Sequence, residues 1–121
     1  MKHTIPGFKN LSKQELLNMS VAHVLKNGEP SMRNGNCSYA GIGCAAAPFL
    51  KPSGRETLTG SWLFLVNEGR VSSHEAAFVH HLQICHDANS GYAGPAFINL
   101  FKRDVLDLCN RFSLQPPKGL K

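Results

Sequence analysis

The chain lacks any long apolar run, and this absence excludes several classes of protein. Its 121 residues contain no stretch of transmembrane length and no apolar core of a secretory signal peptide near the N-terminus. Charged residues make up 17% of the chain and hydrophobic residues 42%, which is typical of a globular protein and not of a disordered one. We therefore expect one domain in the cytoplasm, with no membrane partner.

The sequence also lacks the short motifs that mark common enzymes. It has no phosphate-binding loop, no dinucleotide fingerprint and no serine nucleophile elbow. Six residues separate Cys37 from Cys44, whereas specific zinc motifs place their cysteines two to four residues apart. We expect no catalytic residue, no bound metal and no cofactor. In a reducing cytoplasm all four cysteines should be reduced thiols that pack like small hydrophobic side chains: Cys37, Cys44, Cys85 and Cys109.

An excess of one charge sign is missing from the body of the chain. Eight of the thirteen Lys and Arg residues lie between residues 14 and 117, where all eight acidic residues balance them. The net charge of +5 therefore comes from the ends. Flexible basic ends bind nucleic acid weakly and in a salt-sensitive way, so nucleic-acid binding through the tails is the weakest of three functional hypotheses. The lysines concerned are Lys2, Lys9, Lys13, Lys118 and Lys121.

Start signals and apolar spacing predict a mainly helical domain. Ser12 and Glu15 form a capping box, and the apolar positions that follow predict a helix that ends at Gly28. His23 lies off the apolar stripe of this helix and is expected in solvent. Residues 62–66 fit a helix or a buried strand, and we favour a helix.

Two further helices are predicted in the second half of the chain. Ser72 and Glu75 form another capping box before an apolar stripe that contains Cys85. Pro95 suits the first turn of a last helix, which is the clearest amphipathic helix in the sequence. We therefore expect the residues between these two start signals to form one helix and a short loop.

The segment after the first helix predicts a small β-hairpin. Two short apolar runs flank Ala40 and Gly41, although the alanines after Cys44 also favour a helix start. Residues 51–56 read as a loop. The predicted fold is mainly α, with about four helices around one core and a small β-hairpin near residues 37–46. Its expected divisions are a flexible N-terminal arm (residues 1–10), a single globular domain (residues 11–115) and a basic C-terminal tail (residues 116–121).

The stretch HHLQICHDAN, from His80 to Asn89, contains the residues that most resemble a reactive site. His81 and Cys85 are four residues apart and share a helical face, as zinc ligands can. The adjacent His86 and Asp87 are similar to the pair at the two-metal centre of metal phosphohydrolases, which also requires ligands from separate helices. In the structural alternative, His86 donates to carbonyls at the helix C-terminus and Asp87 accepts from loop N–H groups.

Cysteine chemistry offers two other interpretations. Cys85 paired with a histidine would give a nucleophile, but its apolar position should raise the pKa of the thiol. Cys37 and Cys44 can face each other across the predicted hairpin and form a reversible disulfide, although a reducing cytoplasm opposes it.

Several of these residues belong to one longer pattern. Cys37 and Tyr39, a Gly-Cys-Ala piece at residues 43–45, and a Leu-Gln-x-x-His-Asp piece at residues 82–87 follow one another in order. The pattern resembles a group of small uncharacterised proteins encoded by phages, integron gene cassettes and related mobile DNA, over about residues 15–114. This chain departs from the pattern in carrying Ala-Ala-Ala-Pro after Cys44, where the group has a glycine. The resemblance implies an accessory protein of a mobile element and no established activity.

The leading hypothesis is a small accessory or interaction protein that binds a protein partner or forms a homodimer. The alternative is a small metal- or thiol-dependent enzyme centred on His81, Cys85, His86 and Asp87. The candidate functional or structural cluster is Cys37, Tyr39, Cys44, His81, Cys85, His86 and Asp87.

Overall fold

The protein is mainly helical. A computed structural model describes the backbone of residues 2–33 and 36–120 and the side chains of residues 2–32 and 38–120. This part of the chain contains five α-helices, where the sequence predicts about four, and none of them is both long and apolar enough to cross a membrane. The elements are α1 (Lys13–Asn27), β1 (Met32–Arg33), β2 (Asn36–Cys37), α2 (Pro52–Thr57), α3 (Trp62–Asn67), α4 (Ala76–Asp87) and α5 (Gly94–Phe112).

The helix α1 begins and ends where its capping residues predict. The Ser12 hydroxyl accepts from the amide of Glu15 at 3.1 Å, and the Glu15 carboxylate accepts from the amide of Ser12 at 3.0 Å. These bonds satisfy amides that have no partner inside the helix. Gly28 ends the helix with a φ of 73°, a left-handed conformation that costs glycine little. The capping box and the glycine stop are confirmed.

Aromatic side chains make up much of the core. Phe8, Phe49 and Trp62 form one group, with ring centroids 5.7 to 6.1 Å apart. Phe78 of α4 packs edge-on against Phe112 of α5 at 5.3 Å. The three long helices contribute further buried aliphatic and aromatic side chains to the core: Leu16, Leu17, Val21, Val24, Val79, Leu82, Phe97, Phe101, Val105 and Leu108.

The predicted hairpin near residues 37–46 is wrong. In the described backbone the paired strands are β1 and β2, in which Met32 pairs with Cys37 and Arg33 with Asn36, and a single bridge joins Thr4 to Leu50. Residues 40–49 form successive turns that end in a 3₁₀ helix, Ala47–Phe49. The physical reason is that carbonyls of this segment bond to side chains of α1 instead of to a second strand.

Two other boundaries differ from prediction. Residues 51–56 are expected as a loop, but residues 52–57 form α2, because Pro52 suits the first turn of a helix and Gly54 leaves room for the side chain of His3. The second capping box is also wrong. Glu75 precedes α4 with a φ of 50°, and its carboxylate pairs with Lys13 at 2.9 Å instead of reaching back to Ser72.

Both ends of the chain pack onto the domain. The ring of Phe8 is 2% exposed, and Leu120 is 5% exposed. The amide of Gln115 also donates to the Gln14 side chain at 2.8 Å. The described parts of the expected arm and tail are thus in contact with the helices, because each end carries an apolar side chain that the core accepts.

Candidate functional site

The candidate stretch His80–Asn89 forms the second half of α4 and the turn after it. Helix α4 contacts α1, α3, α5 and β2, so it lies at the centre of the domain. Its side chains therefore contact different neighbouring elements. Three separate environments result, around His86, around Gln83 and around Cys85.

His86 joins α4 to the segment after α1. Its side chain is fully buried, and its ring packs edge-on against Phe97 of α5 at 5.5 Å. The Nε2 atom accepts from the backbone amide of Ser31 at 3.0 Å. The Nδ1 atom lies 2.7 Å from the Asp87 carboxylate. Both ring nitrogens therefore have protein partners.

These partners fix the tautomer of the His86 ring. A backbone amide always donates, so Nε2 accepts and carries no proton. The neutral ring then carries its proton on Nδ1, from which it donates to Asp87. The sequence-based structural alternative predicted donation to helix-terminal carbonyls, and the structure shows acceptance from Ser31 instead. Neither nitrogen has a lone pair left for a metal.

Gln83 is the centre of a second buried network. Its side-chain oxygen accepts from the amide of Trp62 at 2.7 Å, and its side-chain nitrogen donates to the Tyr39 hydroxyl at 2.8 Å. Tyr39 in turn donates to the carbonyl of Gly60 at 2.8 Å. Burial raises the pKa of the Tyr39 hydroxyl above its usual range, so the hydroxyl stays protonated and able to donate. This network ties α4 to the start of α3.

His81 and Cys85 line a small cleft between α4 and α5 of about 180 Å³. Burial, and secondarily the Asp104 carboxylate, raises the pKa of the Cys85 thiol to about 12. At neutral pH the nucleophilic thiolate is therefore almost absent. Burial, and then the charge of Arg111, lowers the pKa of His81, whose ring packs against Phe112. The geometry does not favour thiol catalysis.

The four residues of the enzyme hypothesis do not form one site. His81 and Cys85 line the α4–α5 cleft, whereas His86 bonds to Ser31 and Asp87 bonds to His86. Among the residues with described side chains, no group of three or more His, Cys, Asp or Glu is placed to hold a metal ion.

The cysteine pair of the predicted hairpin is described only in part. Cys44 is buried and disulfide-bonded, so the expectation of a reduced thiol is wrong at this position. Cys85 and Cys109 are free thiols. The side chain of Cys37 lies outside the described residues.

A polar stripe on α1 was missed in the sequence. The side chains of Ser20, His23 and Asn27 donate to the carbonyls of residues 45, 43 and 42, at 2.7, 3.1 and 2.7 Å. His23 was expected in solvent, but it is partly buried, and burial lowers its pKa. The signal was the spacing of three and four residues, which places all three on one helical face.

Gly43 explains why these contacts are close. It has a φ of 80°, and an added Cβ would lie 2.6 Å from the Cβ of Ala47 and 3.0 Å from Nε2 of His23. A residue with a side chain at this position would have a strained backbone conformation, and its side chain would displace α1. The Gly-Cys-Ala piece is thus a packing requirement of the loop.

Comparison with known protein families, with curated proteins and with solved structures gave no match to this chain.

Proposed function

We propose that this chain is a small accessory protein that acts by binding another protein surface and not by catalysis. One observation carries the proposal: two adjacent large apolar side chains on α3 face solvent. Leu63 is 37% exposed and Phe64 is 52% exposed. Burial of a fully exposed side chain of this size is worth about 1.5 to 3 kcal/mol, and Leu63 and Phe64 can gain the fraction of this that corresponds to their exposed surface.

The helix that carries these side chains is held rigidly. Trp62 and Leu65, on its other side, are buried in the core. The amide of Trp62 bonds to Gln83, and Ser61 caps the helix by accepting from the amide of Phe64 at 3.2 Å. A surface that is already ordered loses little conformational entropy on binding, which favours association.

The hydrogen bonds of His86 and the protonated thiol of Cys85 support the same proposal. His86 uses both ring nitrogens in structural bonds, and Cys85 stays protonated at neutral pH. His86 instead holds the segment after α1 in place, and its removal should destabilise the fold.

A cytoplasmic location and a mobile-element context belong to this proposal. The context is supported by the resemblance of the motifs around Tyr39 and His86. Because disulfides are uncommon in a reducing compartment, the disulfide at Cys44 makes the cytoplasmic location the part of this proposal that needs its own test. To test whether the disulfide forms in the cells that make the protein, the protein is purified from those cells and its intact mass is measured with and without alkylation.

Site-specific photo-crosslinking in these cells tests the binding role. A photoreactive phenylalanine analogue replaces Phe64 in one variant and Tyr92 in a control, because Tyr92 is equally exposed at 54% and lies in the α4–α5 loop. We expect discrete protein adducts from position 64 and none from position 92. No adduct at position 64, or the same adducts at both positions, would contradict the proposal.

A further inference from the structure

The exposed face of α3 adjoins a shallow depression. Thr57, Leu58, Thr59 and Leu65 line this depression together with Phe64 itself, and its volume is about 130 Å³. A cavity of about 150 Å³ accommodates a benzene ring in other proteins, so the depression is close to the size of one phenyl group. The protein thus presents an exposed phenyl ring directly beside a hollow of similar size. We call these residues, with Leu63, Glu68 and Arg70, the α3 face.

Two opposite charges complete the lining of the depression. Glu68 and Arg70 are both exposed, and in the described structure neither side chain has a hydrogen-bond or ion-pair partner. The backbone of Arg70 is fixed, because its amide donates to Leu65 at 2.9 Å and its carbonyl accepts from His3 at 2.8 Å. The α3 face therefore holds one acidic and one basic group at defined backbone positions.

We infer that the partner of the α3 face is a second copy of this chain. In a two-fold symmetric interface the same patch lies on both sides, so it must be complementary to itself. The α3 face meets this condition twice. The ring of Phe64 can enter the depression of the other copy, and Glu68 can pair with Arg70 across the axis. This inference rests on the proposed function and names its partner.

The first test measures mass as a function of concentration. Sedimentation equilibrium of the full chain, from about 1 to 500 μM, covers the range expected for a small interface. We expect the wild type to shift from monomer to dimer within this range. Phe64→Asp should weaken dimerisation at least tenfold, while Tyr92→Asp should leave it unchanged.

Phe64→Asp should still fold. Position 64 is half exposed and lies in the first turn of α3, where a carboxylate interacts favourably with the helix dipole. Unchanged far-UV circular dichroism and melting of the monomeric variant would verify this. A variant that unfolds is replaced by Phe64→Ser, which removes the ring without adding charge.

Charge reversal tests the two-fold pairing directly. Glu68→Arg places two positive groups opposite each other in a homodimer, and Arg70→Glu places two negative groups opposite each other. Each variant alone should be monomeric, whereas an equimolar mixture should form a heterodimer in which every pair is again opposite in sign. Failure of the mixture to associate would overturn the assigned pairing.

The outcomes separate this inference from the proposed function. A wild type that stays monomeric up to 500 μM overturns the self-pairing. If crosslinking from position 64 then gives adducts with a different protein, the binding role stands with another partner. If crosslinking also gives no adduct, both conclusions fail.

Discussion

Replacement of His86 by Ala is the most direct test of the structural role assigned to the histidine stretch. The substitution removes the acceptor of the Ser31 amide, which is buried. It also removes a ring that packs against Phe97. Asp87 loses its partner as well, but its side chain is 33% exposed and can be hydrated. The dominant losses are therefore one orphaned amide and one cavity.

The expected loss of stability follows from these two terms. A buried donor without a partner costs about 1 to 3 kcal/mol. Truncation of a buried ring adds about 1 to 2 kcal/mol from lost contacts and the cavity left behind. We expect His86→Ala to lower the free energy of unfolding by about 3 kcal/mol, which corresponds to a melting temperature about 10 °C lower for a domain of this size.

Urea unfolding at neutral pH, followed by the fluorescence of buried Trp62, measures this loss. His86→Gln is the informative second variant, because its amide oxygen can reach the Ser31 amide and should recover about half of the lost free energy. His80→Ala is the matched control, since the buried Nδ1 atom of His80 has no hydrogen-bond partner. The structural role is refuted if His86→Ala unfolds within about 0.5 kcal/mol of wild type.

Three further predictions concern the neighbours of this site. Gln83→Leu should destabilise the fold by about 1 to 3 kcal/mol in the same assay, because it leaves the buried amide of Trp62 without an acceptor, while the Tyr39 hydroxyl loses one donor and keeps its bond to Gly60. In the native protein at pH 8, Cys85 should resist alkylation by iodoacetamide, because its thiol has a pKa of about 12, and labelling should require unfolding. Stability should fall as the pH drops below about 6.5, since the pKa of His23 is lower in the folded state than in the unfolded state. His23→Gln, which keeps a donor for Gly43, should make that fall less steep in urea titrations between about pH 7 and pH 5.

The parts of the fold that local chemistry determines could be predicted from the sequence. The bonds between Ser12 and Glu15 require no information beyond three residues of spacing, and Gly28 needs only its own conformational freedom. The same spacing in Ser72 and Glu75 gave a wrong prediction. There the Glu75 carboxylate pairs with Lys13, a residue distant in sequence, and the tertiary contact overrides the local one.

The surroundings of the candidate residues depend on tertiary contacts that the spacing of residues in the sequence does not indicate. The raised pKa of the Cys85 thiol was predicted correctly, because its place in the apolar stripe already implied burial. The pairing of His86 with the Ser31 amide joins residues 55 positions apart, and no local pattern indicates it. His23 was misplaced for a related reason, since the loop that covers it has no recognisable period.

The structural role of His86 follows from a long irregular segment in this domain. The described residues of the segment 28–51 have little regular structure beyond β1, β2 and one 3₁₀ turn, so many of their backbone groups lack partners in a helix or sheet. Buried backbone groups must nevertheless be bonded. Polar side chains of α1 bond to carbonyls of this segment, and His86 of α4 bonds to one of its amides. In a small helical domain with such a segment, we therefore expect histidine, glutamine and asparagine at helical spacing to bond to the backbone. A catalytic role for one of them requires a side-chain atom that makes no such bond.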